Sequence, residues 1–375
     1  MLFFWQPDIP LPTGGLKQAY RHVEILDQAG VEARVLHTKR GFVCDWFEHQ
    51  APIAYLGEAL PRSAMRQVGK VVPRMTPPLD LNLFEGRTIH LPDASGRSRK
   101  HTLSADDVLV MPEYPGAELA DAKIELPTVI LNQNVHGTFR GYGFGERSGS
   151  TIYTEPNVLA AIVVSEHNKR YLEYAFEGLV VHRVVNGVNA ALFHPNDSPR
   201  LRRIAYMPRR MPHHLEQVIN ILSERGALEG WELAPIAGLS EEGVADVLRH
   251  SKIFLSACEE EGFGLPPVEA GMAGCLVVGY TGAAADEYAE HGMYERVDQD
   301  DVLGFAQAVE RTMKWVDSDA DAAIAKARAS SEYLSERYSL EREAESVLAA
   351  WRALLDDTKQ GWPGDRPERP HAAAH

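Results

Sequence analysis

The sequence predicts an α/β protein with two parallel-sheet domains. Three observations carry this. Short apolar strand-like runs alternate with helix-like segments in two successive blocks. Glycine-containing turns follow the carboxyl ends of key strands. A Pro-bounded stretch at 195–199 separates the blocks as a linker would. At 375 residues the chain is long enough to build two cores.

In the first block, "LFFW" at 2–5 reads as a short buried strand. "PTGG" at 12–15 is the turn after it. A helix follows from about 16 to 29, with Leu16, Tyr20, Val23 and Leu26 at helical period and Gly30 as a stop signal. "VEARVLH" at 31–37 is the next strand, completing a βαβ start. Residues 38–105 are rich in proline and charge and read as inserted loops and short helices. Strand-like runs return as "VLVMPE" at 108–113, "TVILNQN" at 128–134, "AIVVS" at 161–165 and "LVVHRVV" at 179–185. "VNGVNAALFHP" at 185–195 then ends a strand in turn chemistry.

The second block alternates more regularly. "RIAYMP" at 203–208 is a strand, and 213–225 a helix. "WELAPIAG" at 231–238 is a strand, and 240–250 a helix. "IFLSAC" at 253–258 is a strand, 267–274 a short helix, and "CLVVGY" at 275–280 a strand. After further helices, 339–355 is strongly amphipathic, with Leu340, Ala344, Val347, Leu348, Trp351 and Leu355 on one side. The expected domains are therefore 1–195 and 196–335. A terminal helix over 336–357 and a Pro-rich, polar, disordered tail over 358–375 complete the chain.

Composition narrows the function classes. The net charge of −15 argues against nucleic acid as the main partner. Residues 1–200 hold 20 Lys+Arg against 22 Asp+Glu, whereas residues 201–375 hold 18 against 31. The first half is thus the one suited to an anionic surface or acceptor. Cys44, Cys258 and Cys275 lack metal-ligand spacing and read as free thiols of a reducing compartment. No run has the length of a membrane span, and the first residues lack the basic region of a signal peptide. The expected location is the cytoplasm. Contact with the inner face of the membrane stays open: Arg62, Arg66, Lys70 and Arg74 recur every four residues, which also describes a solvated helix face.

The stretch "EEEGFGLPPVEAGMAGC" at 259–275 carries the chemistry. It lies between a strand's carboxyl end and a helix's amino end, where open α/β sheets bind ligands. Free N–H groups at the helix terminus favour an anion. Gly262 and Gly264 allow backbone to approach a ligand. The carboxylates of Glu261 and Glu269 are acceptors suited to vicinal hydroxyls. Phosphate and diol together describe a sugar nucleotide.

Glu261 and Glu269 at this spacing, with "GFGLP" between them and "EAGMAG" after, resemble the E-x7-E signature of retaining GT-B glycosyltransferases. The match is to family 4, the glycosyl transferases group 1 type, which includes phosphatidylinositol mannosyltransferase and many bacterial surface-polysaccharide enzymes. "PTGG", "MPRR" at 207–210 and "VVNGVNAALFHP" at 184–195 fall where that family has matching elements. The resemblance covers about residues 1–355 and is weakest over 38–105. It implies two Rossmann-like domains facing across a cleft, an acceptor domain first and a donor domain second. It also implies a last helix that crosses back to the first domain.

The resemblance implies roles as well. Glu261 would contact donor-sugar hydroxyls, with the amides of Gly262, Phe263, Gly264 and Leu265 around the sugar and distal phosphate. Glu269 would bind the ribose hydroxyls. Arg209 and Arg210 would clamp the diphosphate, though the family spaces an Arg and a Lys several residues apart. Which arginine binds stays open. Gly14 and Gly15 would bring backbone to the same phosphates, His136 in "NQNVHG" at 132–137 would touch the donor sugar, and residues 236–238 would lie near the base. The later glycine–glutamate element stands as "GAAADE" at 282–287, keeping Gly282 and Glu287. The implied reaction is retaining transfer of a hexosyl group from a UDP- or GDP-linked donor to a glycan or lipid-linked acceptor. It needs no metal and no cofactor.

Plainer readings compete with each role. Residues 259–275 also suit a strand–turn–helix connection with solvated acids, Arg209 and Arg210 a surface pair. His136 also suits a core or loop histidine, Gly14 and Gly15 a simple βα turn. "DSDAD" at 317–321 reads as an exposed helix cap rather than a metal site, and "HAAAH" as tail. A catalytically silent binding or scaffold subunit and a sugar-nucleotide epimerase remain as alternative functions.

Overall fold

A computed structural model describes the chain except residues 11–12, 57–83, 85, 94, 96, 114–124, 144–150, 197, 290–293 and 358–375. The basic ladder at 62–74 and the expected tail lie outside the described residues. Two compact units emerge: 1–163 with 171–184 and the chain from Ala344 onward, and 164–170 with 185–343.

Among the described residues the first unit is a nine-stranded sheet in the order β5-β4-β3-β2-β1-β6-β7-β8-β9. Its centre is β1 (Leu2–Trp5), β2 (Ala33–His37), β6 (Val108–Pro112), β7 (Thr128–Asn132), β8 (Val158–Val163) and β9 (Val181–Arg183), all parallel. Every residue of β1, β6 and β7 is buried, which is why these strands read as unbroken apolar runs rather than alternating ones. Phe3, Trp5, Leu109, Met111 and Ile130 form the core on one face. Each such side chain, fully buried, contributes about 1.5–3 kcal/mol.

Within residues 38–105, loops and short helices were expected; the described part also holds strands, β3 (Ile53–Leu56), β4 (Thr88–Pro92) and β5 (Ser98–Thr102), while 57–83 lie outside the described residues. β3 is parallel to β2, while β4 and β5 join antiparallel at the sheet edge. β4 does alternate, with Ile89 and Leu91 inside. β5, "SRKHT", has almost no buried face, so main-chain pairing defines it and no hydrophobic pattern announces it.

The second unit is a fully parallel five-stranded sheet, β11-β10-β12-β13-β14. The strands are β10 (Arg203–Tyr206), β11 (Glu232–Pro235), β12 (Ile253–Glu261), β13 (Leu276–Ala283) and β14 (Tyr294–Arg296). Among the described residues the helices, in order, are α1 (Gly14–Gln28), α2 (Glu166–Ala175), α3 (Pro212–Glu224), α4 (Glu241–His250), α5 (Leu265–Met272), α6 (Asp286–Ala289), α7 (Val302–Ser318), α8 (Ala320–Arg337) and α9 (Leu340–Asp357). Asp319 caps α8 by accepting the Ala322 N–H, and Asp317 pairs with Arg202 at 2.7 Å, so "DSDAD" is occupied structurally.

In α9 Glu343, Val347, Ala350, Trp351, Leu354 and Leu355 are buried, while Leu340, Ala344 and Leu348 are half-buried. Val347, Trp351 and Leu355 of the expected stripe are thus inside, joined by Glu343, Ala350 and Leu354. Trp351 is completely buried and its ring lies 5.7 Å from that of Phe4 in β1. No helix among the described residues is long and apolar enough to cross a membrane.

Candidate functional site

In the second unit the chain adds β11 on one side of β10, then β12 on the other. Between β10 and β12 the connections leave in opposite directions. Their carboxyl ends therefore open a crevice, the place where doubly wound sheets hold ligands. Arg209 and Arg210 follow β10, and Glu261 is the last residue of β12. The crevice brings them together: Arg210 Nη1 donates to Glu261 Oε1. The Glu261 side chain is 13% exposed and that of Arg210 36%, so the pair is open to solvent on the arginine side. Glu269 stands one turn into α5. Partial burial and the neighbouring Arg210 charge lower the Arg209 pKa, while the charges of Glu261 and Glu269 pull it back up. Two guanidinium groups and two carboxylates thus share one electrostatic environment.

The backbone here is strained. Met211, immediately after Arg210, has φ 38°, Glu260 has φ 48°, and Ala283, which pairs with Glu261, has φ 67°. These are non-glycine residues in the left-handed region, which is uncommon and clusters at functional sites. The register between β12 and β13 shifts between Cys258 and Glu261. This bulge turns Glu261 toward Arg210 and leaves Glu259 and Glu260 exposed. Three consecutive acids therefore play different parts, the first two forming the bend that aims the third.

α5 begins directly after this bend, at Leu265, two residues earlier than the sequence suggested, because both prolines fit within its first turn. Gly264 is its N-cap at φ 84°, and a Cβ there would lie 2.8 Å from Tyr288 Oη. That hydroxyl donates toward the carbonyls of Phe263 (3.2 Å) and Gly264 (2.9 Å), fixing the turn from below. Gly262, Phe263 and Gly264 are buried and Leu265 half-buried. Phe263 packs edge-on against Tyr288 and Tyr338, so its side chain anchors the loop while its backbone lines the turn. Residues 236–238 follow β11 on the same edge of the sheet. Glu287 accepts the Glu166 N–H at 2.9 Å and the Tyr338 hydroxyl at 3.1 Å.

Cys258, also on β12, is no nucleophile. Burial, and secondarily the Glu261 charge, push its thiol up to about 12. Cys44, Cys258 and Cys275 are all buried free cysteines.

In the first unit the direction of winding changes between β1 and β6. Gly14 and Gly15 are not a loop before α1, as expected, but its first turn. Helix N–H groups without intrahelical partners begin there, so the helix terminus itself presents the donors. Gly15 permits a close approach: a Cβ would sit 3.2 Å from Gln133 Nε2, which donates to the Gly15 carbonyl at 2.9 Å. His136 sits half-buried in a 3-10 turn after β7 (Val135–Gly137), its N–H held by Asn134 Oδ1 at 3.0 Å. Gly14, Gly15 and His136 are therefore tied together through Gln133 and Asn134. Sequence reasoning passed over Glu113, Gln133 and Tyr288. The signal for Glu113 was present, an acid closing the wholly apolar strand "VLVMP".

An Asp–His–Tyr chain also lies in this unit. His37 contacts Asp8 Oδ1 at 3.0 Å and the Tyr20 hydroxyl at 2.6 Å. The Asp8 carboxylate is already engaged by the Thr38 and Lys39 N–H groups, so this chain secures the turn after β2.

Residues 209–314 match the family model described as "Glycosyl transferases group 1". That segment begins at Arg209 and contains Glu261 and Glu269. A curated relative, an "Alpha-1,6-glucosyltransferase" of Actinobacillus pleuropneumoniae serotype 7 (strain AP76), is 25% identical over 189 residues. The alignment covers 48% of this chain and 54% of the relative, so the chain spans about half the length of the curated relative it matches. Among solved structures, sucrose-phosphate synthase from Thermosynechococcus elongatus superposes with a TM-score of 0.64 at 14% identity, covering 95% of this chain and 99% of that one. Anabaena Alr3699/HepE in complex with UDP gives 0.59 at 11% identity, covering 94% and 99%. The fold is the α/β fold of the GT-B glycosyltransferases.

Proposed function

We propose that this protein is a retaining, family 4 type glycosyltransferase. It moves a hexosyl group from a UDP- or GDP-linked sugar to a glycan or lipid-linked acceptor, in surface-polysaccharide or glycoconjugate synthesis. The observation that carries the reading is the Arg210–Glu261 pair at the β10/β12 switch point, beside the start of α5 and sharing its field with Arg209 and Glu269. Cations and helix N–H groups suit a diphosphate, and carboxylates suit sugar and ribose hydroxyls. The match of residues 209–314 to a glycosyltransferase family model supports it. So does the HepE structure, whose bound ligand is UDP.

In this reading Glu269 accepts hydrogen bonds from the ribose hydroxyls and Glu261 from those of the donor sugar. The amides of Gly262, Phe263, Gly264 and Leu265 surround the sugar and distal phosphate. Arg209 and Arg210 hold the diphosphate. The bond from the anomeric carbon to the phosphate oxygen breaks while the acceptor oxygen bonds to the same face. The departing phosphate oxygen takes the acceptor's proton. Negative charge grows on the diphosphate during this step, so the arginines bind the transition state better than the ground state. Their charge does the work assigned elsewhere to a metal ion, and the chemistry is metal-independent. His136 and the Gly14–Gly15 turn are assigned to donor binding as well. In this reading the site works in the cytoplasm, and an acceptor that is lipid-linked rather than a free glycan is met at the inner membrane face.

The test begins with melting temperatures in UDP-, GDP-, ADP- and dTDP-sugars, since a ligand of the folded state raises apparent stability. The bound donor is then incubated without and with candidate acceptors. Slow release of free sugar with retained anomeric configuration supports the transferase. Binding without turnover in either condition assigns a scaffold or binding subunit, and an epimerised donor assigns an epimerase. No shift with any donor overturns the nucleotide-sugar reading.

A further inference from the structure

β6 carries an apolar run to its carboxyl end and places Glu113 there, 9% exposed. Its Oε2 accepts the main-chain N–H of Gln133 at 3.2 Å. Its Cγ lies 3.4 Å from the position a Cβ on Gly137 would take. Gln133 in turn holds the Gly15 carbonyl, and Asn134 holds the His136 N–H. Three segments far apart in sequence are thus linked through Gln133: its N–H is held by Glu113 at the end of β6, and its side-chain amide holds the first turn of α1.

We propose that Glu113 is a positioning residue whose ionised carboxylate clamps the turn after β7 and so holds His136 and the Gly14–Gly15 backbone ready for the donor. The proposal rests on the transferase reading above. A carboxylate suits the task because a charge-assisted hydrogen bond is shorter and roughly twice as strong as a neutral one. Burial raises the Glu113 pKa from its usual 4.5 to about 7, against the opposing pull of main-chain N–H groups and the Arg140 charge. Among the described residues the charged and titratable groups around it are Arg140, the Tyr153 phenol and His136 in the clamped turn itself. A glutamine would accept the same N–H without the desolvation penalty. Retaining an ionisable group here costs stability, and such groups gather at functional sites.

The sign of that cost makes the proposal testable. With its folded pKa raised, Glu113 holds its proton more tightly in the native state. Its contribution to stability is present below about pH 4.5 and is lost as pH rises toward about 7. At pH 8.5, Glu113→Gln therefore melts at or above the wild-type temperature. Its kcat nevertheless falls by up to ~10²-fold, the scale of a small misplacement of reacting groups, with donor KM little changed. Wild-type kcat declines as pH drops through about 7, and Glu113→Gln lacks that limb. Glu113→Asp keeps the charge with a shorter reach, so it lowers kcat but retains the limb. A readout independent of turnover is hydrogen-exchange protection over residues 133–137. Protection is greater at pH 8.5 than at pH 6 in the wild type and independent of pH in Glu113→Gln. A limb that survives in Glu113→Gln assigns the titration to another group and overturns the proposal. So does equal pH dependence of protection in both proteins. If the wild type turns over no nucleotide sugar, the transferase reading falls, while the exchange data still judge the clamp.

Discussion

Replacing Glu261 by glutamine separates the two halves of the candidate site. In the structure Arg210 is engaged by Glu261. A diphosphate must therefore compete with that carboxylate for the guanidinium. An ion pair with Arg210 36% exposed is worth no more than ~1 kcal/mol after screening and side-chain entropy. Glu261→Gln removes this competition, so free nucleotide diphosphate binds as tightly as before or up to about fivefold more tightly. Turnover moves the opposite way, because the variant loses the charged grip on the sugar, worth ~1.5–3 kcal/mol or about 10- to 150-fold. Arg210→Ala, if this arginine faces the departing phosphate, loses ~2.7–4 kcal/mol of transition-state stabilisation. Its loss of donor affinity is smaller. Calorimetry with the free diphosphate and steady-state kinetics with the intact donor give both quantities. A donor whose leaving group needs little charge stabilisation partly rescues Arg210→Ala but not Glu261→Gln. If Glu261→Gln weakens diphosphate binding as much as it lowers turnover, the carboxylate binds something other than the sugar. If Arg209→Ala and Arg210→Ala both keep wild-type turnover, the clamp lies elsewhere.

Other perturbations reach separate parts of the argument. Glu269→Ala weakens nucleotide diphosphate binding by ~1.5–3 kcal/mol. A 2′,3′-dideoxy nucleotide loses affinity for the wild type but not for this variant, and equal losses in both would remove Glu269 from the ribose. Trp351→Ala empties a fully buried site against Phe4 and costs ~3–5 kcal/mol, read as a lower denaturant midpoint. An unchanged midpoint would mean that α9 adds nothing to the first unit. His22 is fully buried, and burial, with a smaller contribution from the Arg21 charge, lowers its pKa to about 3. The unfolded chain therefore takes up a proton first, and stability falls by up to ~1.4 kcal/mol per pH unit as pH drops below about 6.5 toward 3. His22→Leu removes this dependence and lowers the acid midpoint in a circular-dichroism titration.

The sequence by itself determined what depends on local pattern. Buried parallel strands announce themselves as apolar runs, so β1, β6, β7, β10, β12 and β13 were legible, and with them the two-block α/β plan. The spacing from Glu261 to Glu269, with glycine and proline between, was legible because a strand end, a tight turn and a helix start each demand particular residues. The edge strands β9 and β11 were legible too, but the edge strands β5 and β14 were not. β5 is defined by main-chain bonds to β4, and main-chain bonds leave no trace in side-chain periodicity. The order of strands within each sheet was equally hidden, yet that order puts the ends of β10 and β12 side by side and so pairs Arg210 with Glu261 across 51 residues. The strain at Glu260 and Ala283, and the bulge that turns one of three acids inward, exist only when β12 is paired with β13. Glu113 shows the division most plainly. Its position at the end of an apolar strand could be read from the chain, but its burial, its raised pKa and its hold on Gln133 arise from segments that meet only on folding. Desolvation and electrostatic coupling depend on distance in space, and neighbours in space are what tertiary structure supplies.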